Sequence, residues 1–497
     1  MCSQKYARHD ICSQSRGKRF STTLISGDEM HSLEPMQEAE EKELIARFEH
    51  MLASNGVQFF DVEEFDLITE YYLETGQYQH AWKAIELGSD QHPTSPAFGL
   101  KRARYLVAVD RLEEASKELE NSAALDPNNP ELAGTKGMLY TKMGRIPEAI
   151  AAFKLALQQS NDPFPYCTQL GGLYQNLGRY EEAIKMYKQI LEEEPEDENA
   201  LYHLATCYDL TEQGDKAIEW FTAFLTKHPF SETGWYHLGI TFARNQKLDK
   251  ALWAMDFALV IDEKFTAAYY EKARILERIE RYEEAANVYL LSLENDDPSG
   301  YCYYRLGTCY RMMERVADAQ AAFKKALAAD PELDEAHLEL ALIFSDKEKH
   351  FEAIHHIKKA LAMEADNPDY HLVAADIYKK MGLLLESENR YRTVLYTLKT
   401  TDPEIYMDYA ELLLDMDHVD QAYDVLTEGL TVYPESEALY AVYAGYVFSS
   451  EDRKEAFLWL KKGLALSPFE VTALLLEYFP HLAEDKEVMK LIKPYIL

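Results

Sequence analysis

Residues 164–197 read FPYCTQLGGLYQNLGRYEEAIKMYKQILEEEPED, and they align without a gap to residues 300–333, GYCYYRLGTCYRMMERVADAQAAFKKALAADPEL, four periods of 34 further along the chain. Each segment holds two amphipathic helices. A fixed period of 20–50 residues marks a stack of supersecondary units, so it replaces the domain count that length alone would suggest. One helix pair cannot bury its apolar face alone, and its core must be completed by its neighbours.

Carried in both directions, the period places repeat starts at 62, 96, 130, 164, 198, 232, 266, 300, 334 and 368, then at 403 and 437 after one inserted residue near 396–402. Position 20 of the repeat is Ala in eleven of twelve, among them Ala81, Ala183, Ala319 and Ala456, with Ser387 the exception. A small residue there lets two helices cross closely. Position 8 is Gly or Ala after the first repeat, as in Gly137, Gly171, Gly239 and Gly307, where the first repeat has Thr69. Position 32 is Pro in seven repeats, for example Pro195 and Pro331, ending the second helix where a missing N–H costs nothing.

These residues, with Trp235, Leu238, Gly239 and Phe242 in one repeat and Tyr174 and Tyr187 in another, resemble the tetratricopeptide repeat family over residues 62–470. The resemblance is to long bacterial-style arrays without an attached catalytic domain. It implies an all-α fold, an α-solenoid of about twelve helix-turn-helix units wound as a right-handed superhelix. First helices would line a concave groove and second helices would lie outside. The expected organisation is a leader over 1–35, a capping helix over 36–61, the array over 62–470 and capping helices over 471–497.

The chain is 47% hydrophobic with 21 Gly and 18 Pro, which excludes collagen-like and low-complexity classes. Its 51 Lys and Arg against 86 Asp and Glu leave a net charge of −35, which repels phosphate backbones, so nucleic acid is a poor partner. Six scattered cysteines without a C-x-x-C pair suit a reducing compartment, and no apolar run reaches the ~18–20 residues that span a bilayer. A cytoplasmic location is expected. Residues 1–27 differ, with Lys5, Arg8, Arg16, Lys18 and Arg19 against Asp10 alone; they read as a disordered leader or an upstream start, with a targeting peptide as the alternative.

No phosphate-binding loop, H-E-x-x-H or G-x-S-x-G motif occurs, and the residues outside the array are too few for a catalytic domain. Gly171, Gly172 and Gly178 read as packing residues of the repeat. His350, His355 and His356 lack the i, i+4 spacing of a helical metal pair and read as solvated surface. Cys207, Cys302 and Cys309 read as small core residues. The chain is therefore expected to be neither an enzyme nor a cofactor protein. A catalytic site built from His203, His237, Tyr270 and Arg274 would lack a nucleophile beside a positioned base.

In the family the groove is lined by positions 2, 5, 6, 9, 12 and 13 of the first helices. Position 5 is Tyr in four successive repeats, Tyr202, Tyr236, Tyr270 and Tyr304, with Tyr301 at position 2, although Tyr at position 5 also belongs to the family pattern. Such residues combine a large apolar contact with a polar tip. His203 and His237 stand at position 6, where Arg305 follows. Arg244, Arg274, Arg278, Arg305 and Arg311 against Glu271 and Glu277 make the middle basic, between acidic stretches that include Glu63, Asp66, Glu70, Glu335 and Glu339. Arg forks bind carboxylates in two-pronged fashion. The expected function is a protein-binding scaffold holding an extended acidic or aromatic-acidic segment of a partner. The plainer reading is that Arg274, Arg278, Glu271 and Glu277 pair with one another. A self-assembling array, dimerising through end units such as the one bearing Tyr440, Tyr443, Tyr446 and Phe448, is the alternative. The residues by which some family members clamp a chaperone's terminal carboxylate are absent, since no repeat has Lys at position 5 or Asn at position 9.

Overall fold

The computed structural model of the chain describes residues 34–54, 56–127, 129–295, 299–449 and 453–496, with side chains from residue 42 onward. The basic leader read from the sequence lies outside the described residues. Among these residues the secondary structure is helical throughout, without a strand, and successive antiparallel helix pairs stack as an α-solenoid. The described residues divide into two compact bodies, one ending at Glu212 and the other beginning at Gln213.

The common register places the first helix of a repeat at positions 1–13 and the second at 17–30, as in Phe164–Asn176 with Tyr180–Glu193 and Gly300–Met312 with Val316–Ala329. Seven first helices start after a residue whose side chain caps them. Asp61, Asn129, Asp197, Ser231, Ser299, Asn367 and Asp402 each accept a backbone N–H of the first turn, and Asp61 forms a reciprocal box with Glu64. First helices stop at position 15, whose backbone is left-handed in eleven repeats, from Gly76 through Gly178 and Glu314 to Asp417. That turn lets the amide of position 16 reach back to the carbonyl of position 11, as Arg179 does to Tyr174 at 2.8 Å and Arg315 to Tyr310 at 2.9 Å. The same arginines lie over those tyrosine rings, 4.8 and 4.6 Å from the centroids.

Position 8 faces position 24 of the second helix. A Cβ on Gly171 would come within 2.8 Å of the Tyr187 ring, and one on Gly307 within 2.6 Å of Phe323. The three glycines read together from the sequence therefore have separate roles: Gly171 gives room, Gly178 turns the chain at φ +69°, and Gly172 faces open space. The departures from the pattern are satisfied locally. Buried Thr69 bonds the Phe65 carbonyl at 2.7 Å, and buried Ser387 reaches across the crossing to the Ala375 carbonyl at 2.8 Å. The inserted residue is taken up by a π-helical stretch, Thr393–Leu398, after the helix Leu384–Arg392, ending at left-handed Lys399. Widening one turn to i→i+5 bonding absorbs one extra residue without breaking the helix.

Cores run through neighbouring repeats, as where Phe323 shares a cluster with Leu340, Ile357 and Tyr378. In the first body the helix Glu34–Ser54 covers the first repeat, with Phe48 fully buried and its ring 5.8 Å from Phe60 and 6.0 Å from Tyr72. At the other end Pro468–Tyr478 and Lys486–Ile492 close the second body, with Phe479 edge-on to Tyr446 at 5.1 Å. Tyr443 and Phe448 are buried there by their own chain.

Candidate functional site

In the first body the helix Glu198–Leu210 carries Tyr202, 57% exposed, and His203, whose ring stacks on Tyr187 at 5.3 Å. The remaining candidates belong to the second body, on the helices Glu232–Arg244, Thr266–Arg278 and Gly300–Met312.

Tyr236 is half-buried against Phe265, with ring centroids 5.1 Å apart; burial first, and then Glu271, pushes its hydroxyl up to about 12. His237 was expected on the groove, but it is buried beside Phe221, and burial pushes its pKa down to about 4. Position 6 lies at the edge of the helix–helix contact, and an uncharged imidazole there packs as an aromatic ring. It presents no surface to a ligand.

The next two repeats bring the other tyrosines together. Tyr301 lies 6.0 Å from Tyr270 and 5.8 Å from Tyr304, ring centre to ring centre. Tyr270 also packs on Tyr289 and Tyr304 on Phe323, each at 5.9 Å, so position 5 serves the repeat's own core with one face of the ring. Burial raises the hydroxyl pKa of both Tyr270 and Tyr304. Tyr301 remains 43% exposed.

The arginines are held in place by carboxylates. Arg274 pairs with Glu271 of its own helix at 2.8 Å and lies 5.9 Å from the Tyr270 ring centre. Arg305 reaches back to Glu277, with Nε 3.3 Å from Oε1 and Nη2 on Oε2, while Tyr289 donates its hydroxyl to the same carboxylate at 2.6 Å. Burial, and then the Glu277 bond and charge, push the Tyr289 hydroxyl far up. Arg311 meets Glu339 at 3.0 Å; the glutamate is 7% exposed, and burial raises its pKa while the arginine pulls it down. Arg278 donates to the Ala243 carbonyl at 3.2 Å and to Gln246 at 3.0 Å, tying two repeats together. Pairing along and between helices thus accounts for much of the charge pattern. Arg274 and Arg311 nonetheless keep 49% and 44% of their side chains exposed. A guanidinium has five N–H donors, so an edge occupied by one carboxylate leaves others for a ligand.

Two participants were missed in the sequence. Tyr289, at position 24, anchors Glu277 at position 12; the same register joins Tyr187 to Gln175 at 3.0 Å, so the repeat itself held the signal. His356, read as solvated, is half-buried with its Nδ1 2.8 Å from Nδ1 of buried His337. Cys207, Cys302 and Cys309 are buried, and burial pushes their thiols up to about 11, 11 and 12, as inert core residues require. No helix among the described residues is long and apolar enough to cross a membrane.

Family models described as tetratricopeptide repeat match residues 106–170, 176–232, 266–297 and 300–333. No curated protein matches the chain. Similar solved structures include the APC/C hetero-tetramer Cut9-Hcn1, at 14% identity over 82% of this chain and 94% of that one, with a TM-score of 0.37. They include YrrB, described as a TPR protein with an unusual peptide-binding site, at 18% identity over 40% and 97% with a TM-score of 0.33. Pseudomonas aeruginosa pilF is 17% identical over 48% and 100%, with a TM-score of 0.36. With four stretches matched and its helix pairs in the repeat's register, the chain carries tetratricopeptide repeats.

Proposed function

We propose that the chain is a non-catalytic scaffold for protein–protein interaction, and that the first helices Thr266–Arg278 and Gly300–Met312 hold an extended acidic or aromatic-acidic segment of a partner. The reading rests on the row Tyr270, Tyr301 and Tyr304 flanked by the half-exposed guanidinium groups of Arg274 and Arg311. Tyrosine rings give apolar contact at low entropic cost, and the free edges of the two arginines supply directional donors for carboxylates. Arg305 supports the surface from beneath, since its charge is already met by Glu277.

The reading is tested by affinity capture with the wild-type chain and with a variant carrying Arg274→Glu and Tyr301→Ala. Both residues are exposed and neither holds the Glu277 cluster, so helicity should be unchanged by circular dichroism. A partner retained by the wild type and lost by the variant is the expected result. Identical captures would overturn it.

A further inference from the structure

A second charged surface lies in the last part of the second body. The helices Arg453–Leu466 and Lys486–Ile492 flank an open surface cleft of about 600 Å³ lined by Arg453, Lys454, Phe457, Lys461, Lys490 and Leu491. One acid, Glu487, also lines it among the described residues. That acid and Asp485 are taken up by Arg453, at 3.0 and 2.8 Å. Asp485 caps the helix at the same time, so its pKa falls to about 2, Arg453 being the main cause. Lys454, Lys461 and Lys490 are exposed and take part in no ion pair among the described residues, in a chain of net charge −35.

We infer that this cleft docks an extended acidic segment of a partner protein, with two carboxylates three residues apart and an apolar side chain between them. Lys454 and Lys461 are seven residues apart on one helix, two turns or about 10.5 Å. A polyproline-II segment returns to the same face every third residue, an advance of about 9.3 Å, which lysine side chains can span. Phe457 lies between the two lysines in sequence and forms, with Leu491, the apolar floor on which the intervening side chain rests. Long polyanions fit this site less well than a short segment. The negative charge of the remaining chain repels an extended nucleic acid, an anionic bilayer or a second copy, whereas a short segment meets only the local positive field.

The test uses the full chain and a fluorescein-labelled peptide, Gly-Ser-Glu-Leu-Phe-Glu-Ser-Gly, followed by fluorescence anisotropy at low and physiological salt. Binding that weakens with salt is expected. It should fall by about tenfold or more with Lys454→Glu plus Lys461→Glu, and equally when both peptide glutamates become glutamine. Every titration is made in the Arg274→Glu plus Tyr301→Ala background, which removes binding at the tyrosine row, so that the loss with the lysine substitutions reads this cleft alone. Four results would overturn the inference: no binding up to about 1 mM peptide, equal binding by the lysine variant, lysine-dependent binding of phosphatidylserine vesicles or a single-stranded oligonucleotide in preference to the peptide, or self-association lost with the same lysines.

Discussion

Arg305 closes on the Glu277 carboxylate of the preceding repeat, and one repeat later the same two positions are joined with their charges exchanged, as Arg311 and Glu339. Position 12 of one repeat and position 6 of the next therefore form a fixed contact that accepts either polarity. Glu277 keeps 10% of its side chain exposed, so its charge depends on Arg305 and Tyr289 for compensation.

Replacing Arg305 with Met should strand that carboxylate, at a cost of about 2–3 kcal/mol, below the range for fully buried pairs because Arg305 is itself partly exposed. An array of this kind need not unfold in one step, so the loss is best read by hydrogen exchange in Thr266–Arg278 and Gly300–Met312. Adding Glu277→Gln should restore most of the protection. Unchanged exchange in the single variant would show that the pair contributes nothing.

Two adjacent glycines should respond to alanine in opposite directions. Gly171→Ala drives a methyl to within 2.8 Å of the Tyr187 ring, and overpacking of this kind costs about 1–3 kcal/mol. Gly172→Ala meets nothing within 4 Å in the same helix and should gain up to about 1 kcal/mol from lower backbone entropy in the unfolded chain. Thermal melts of the two variants should shift apart; a shift in the same direction would contradict the role given to position 8.

Acid should weaken the contact between His337 and His356, because two imidazolium rings cannot share a hydrogen bond. Burial, and then His337, His355, Lys359 and Lys324, bring the His356 pKa down to about 4; burial and Lys359 lower that of His337, against the pull of Asp334. Folded values below the unfolded one of ~6.5 mean that the unfolded chain binds more protons between about pH 6.5 and 4. The contribution is complete above that window and is lost as pH falls through it, on the order of 1–2 kcal/mol for the pair. Melting temperatures at pH 7 and pH 5 should converge less for the wild type than for His356→Gln, and parallel pH curves would rule the pair out as a source.

The period, the helix pairs and the small residues at positions 8 and 20 were legible because each recurs across repeats and reports one contact many times. The insertion near 396–402 showed only as a break in register, since nothing in TVLYTL marks a turn that widens rather than breaks. The pairing of the arginines was harder to read. The acids of Arg305 and Arg311 stand 28 residues away, in the preceding and the following repeat respectively, so neither a helix-spacing rule nor a fixed motif finds them. His337 and His356 likewise join the first and second helices of one repeat, at positions 4 and 23, and the next repeat makes the same contact with a different pair, His371 and Arg390. His237 was misplaced because position 6 lies at the border between groove and core, and its burial depends on Phe221 in the preceding repeat.

A partner segment that runs along the tyrosine row should crosslink to it and not to the second helices. A photo-crosslinking phenylalanine analogue is placed at Tyr301, and in a separate chain at Phe351, which is 79% exposed on the second helix His350–Met363. Irradiation in the presence of the captured partner should give an adduct from position 301 and none from 351. An adduct from 351 with none from 301 would contradict the account and move the binding surface to the second helices.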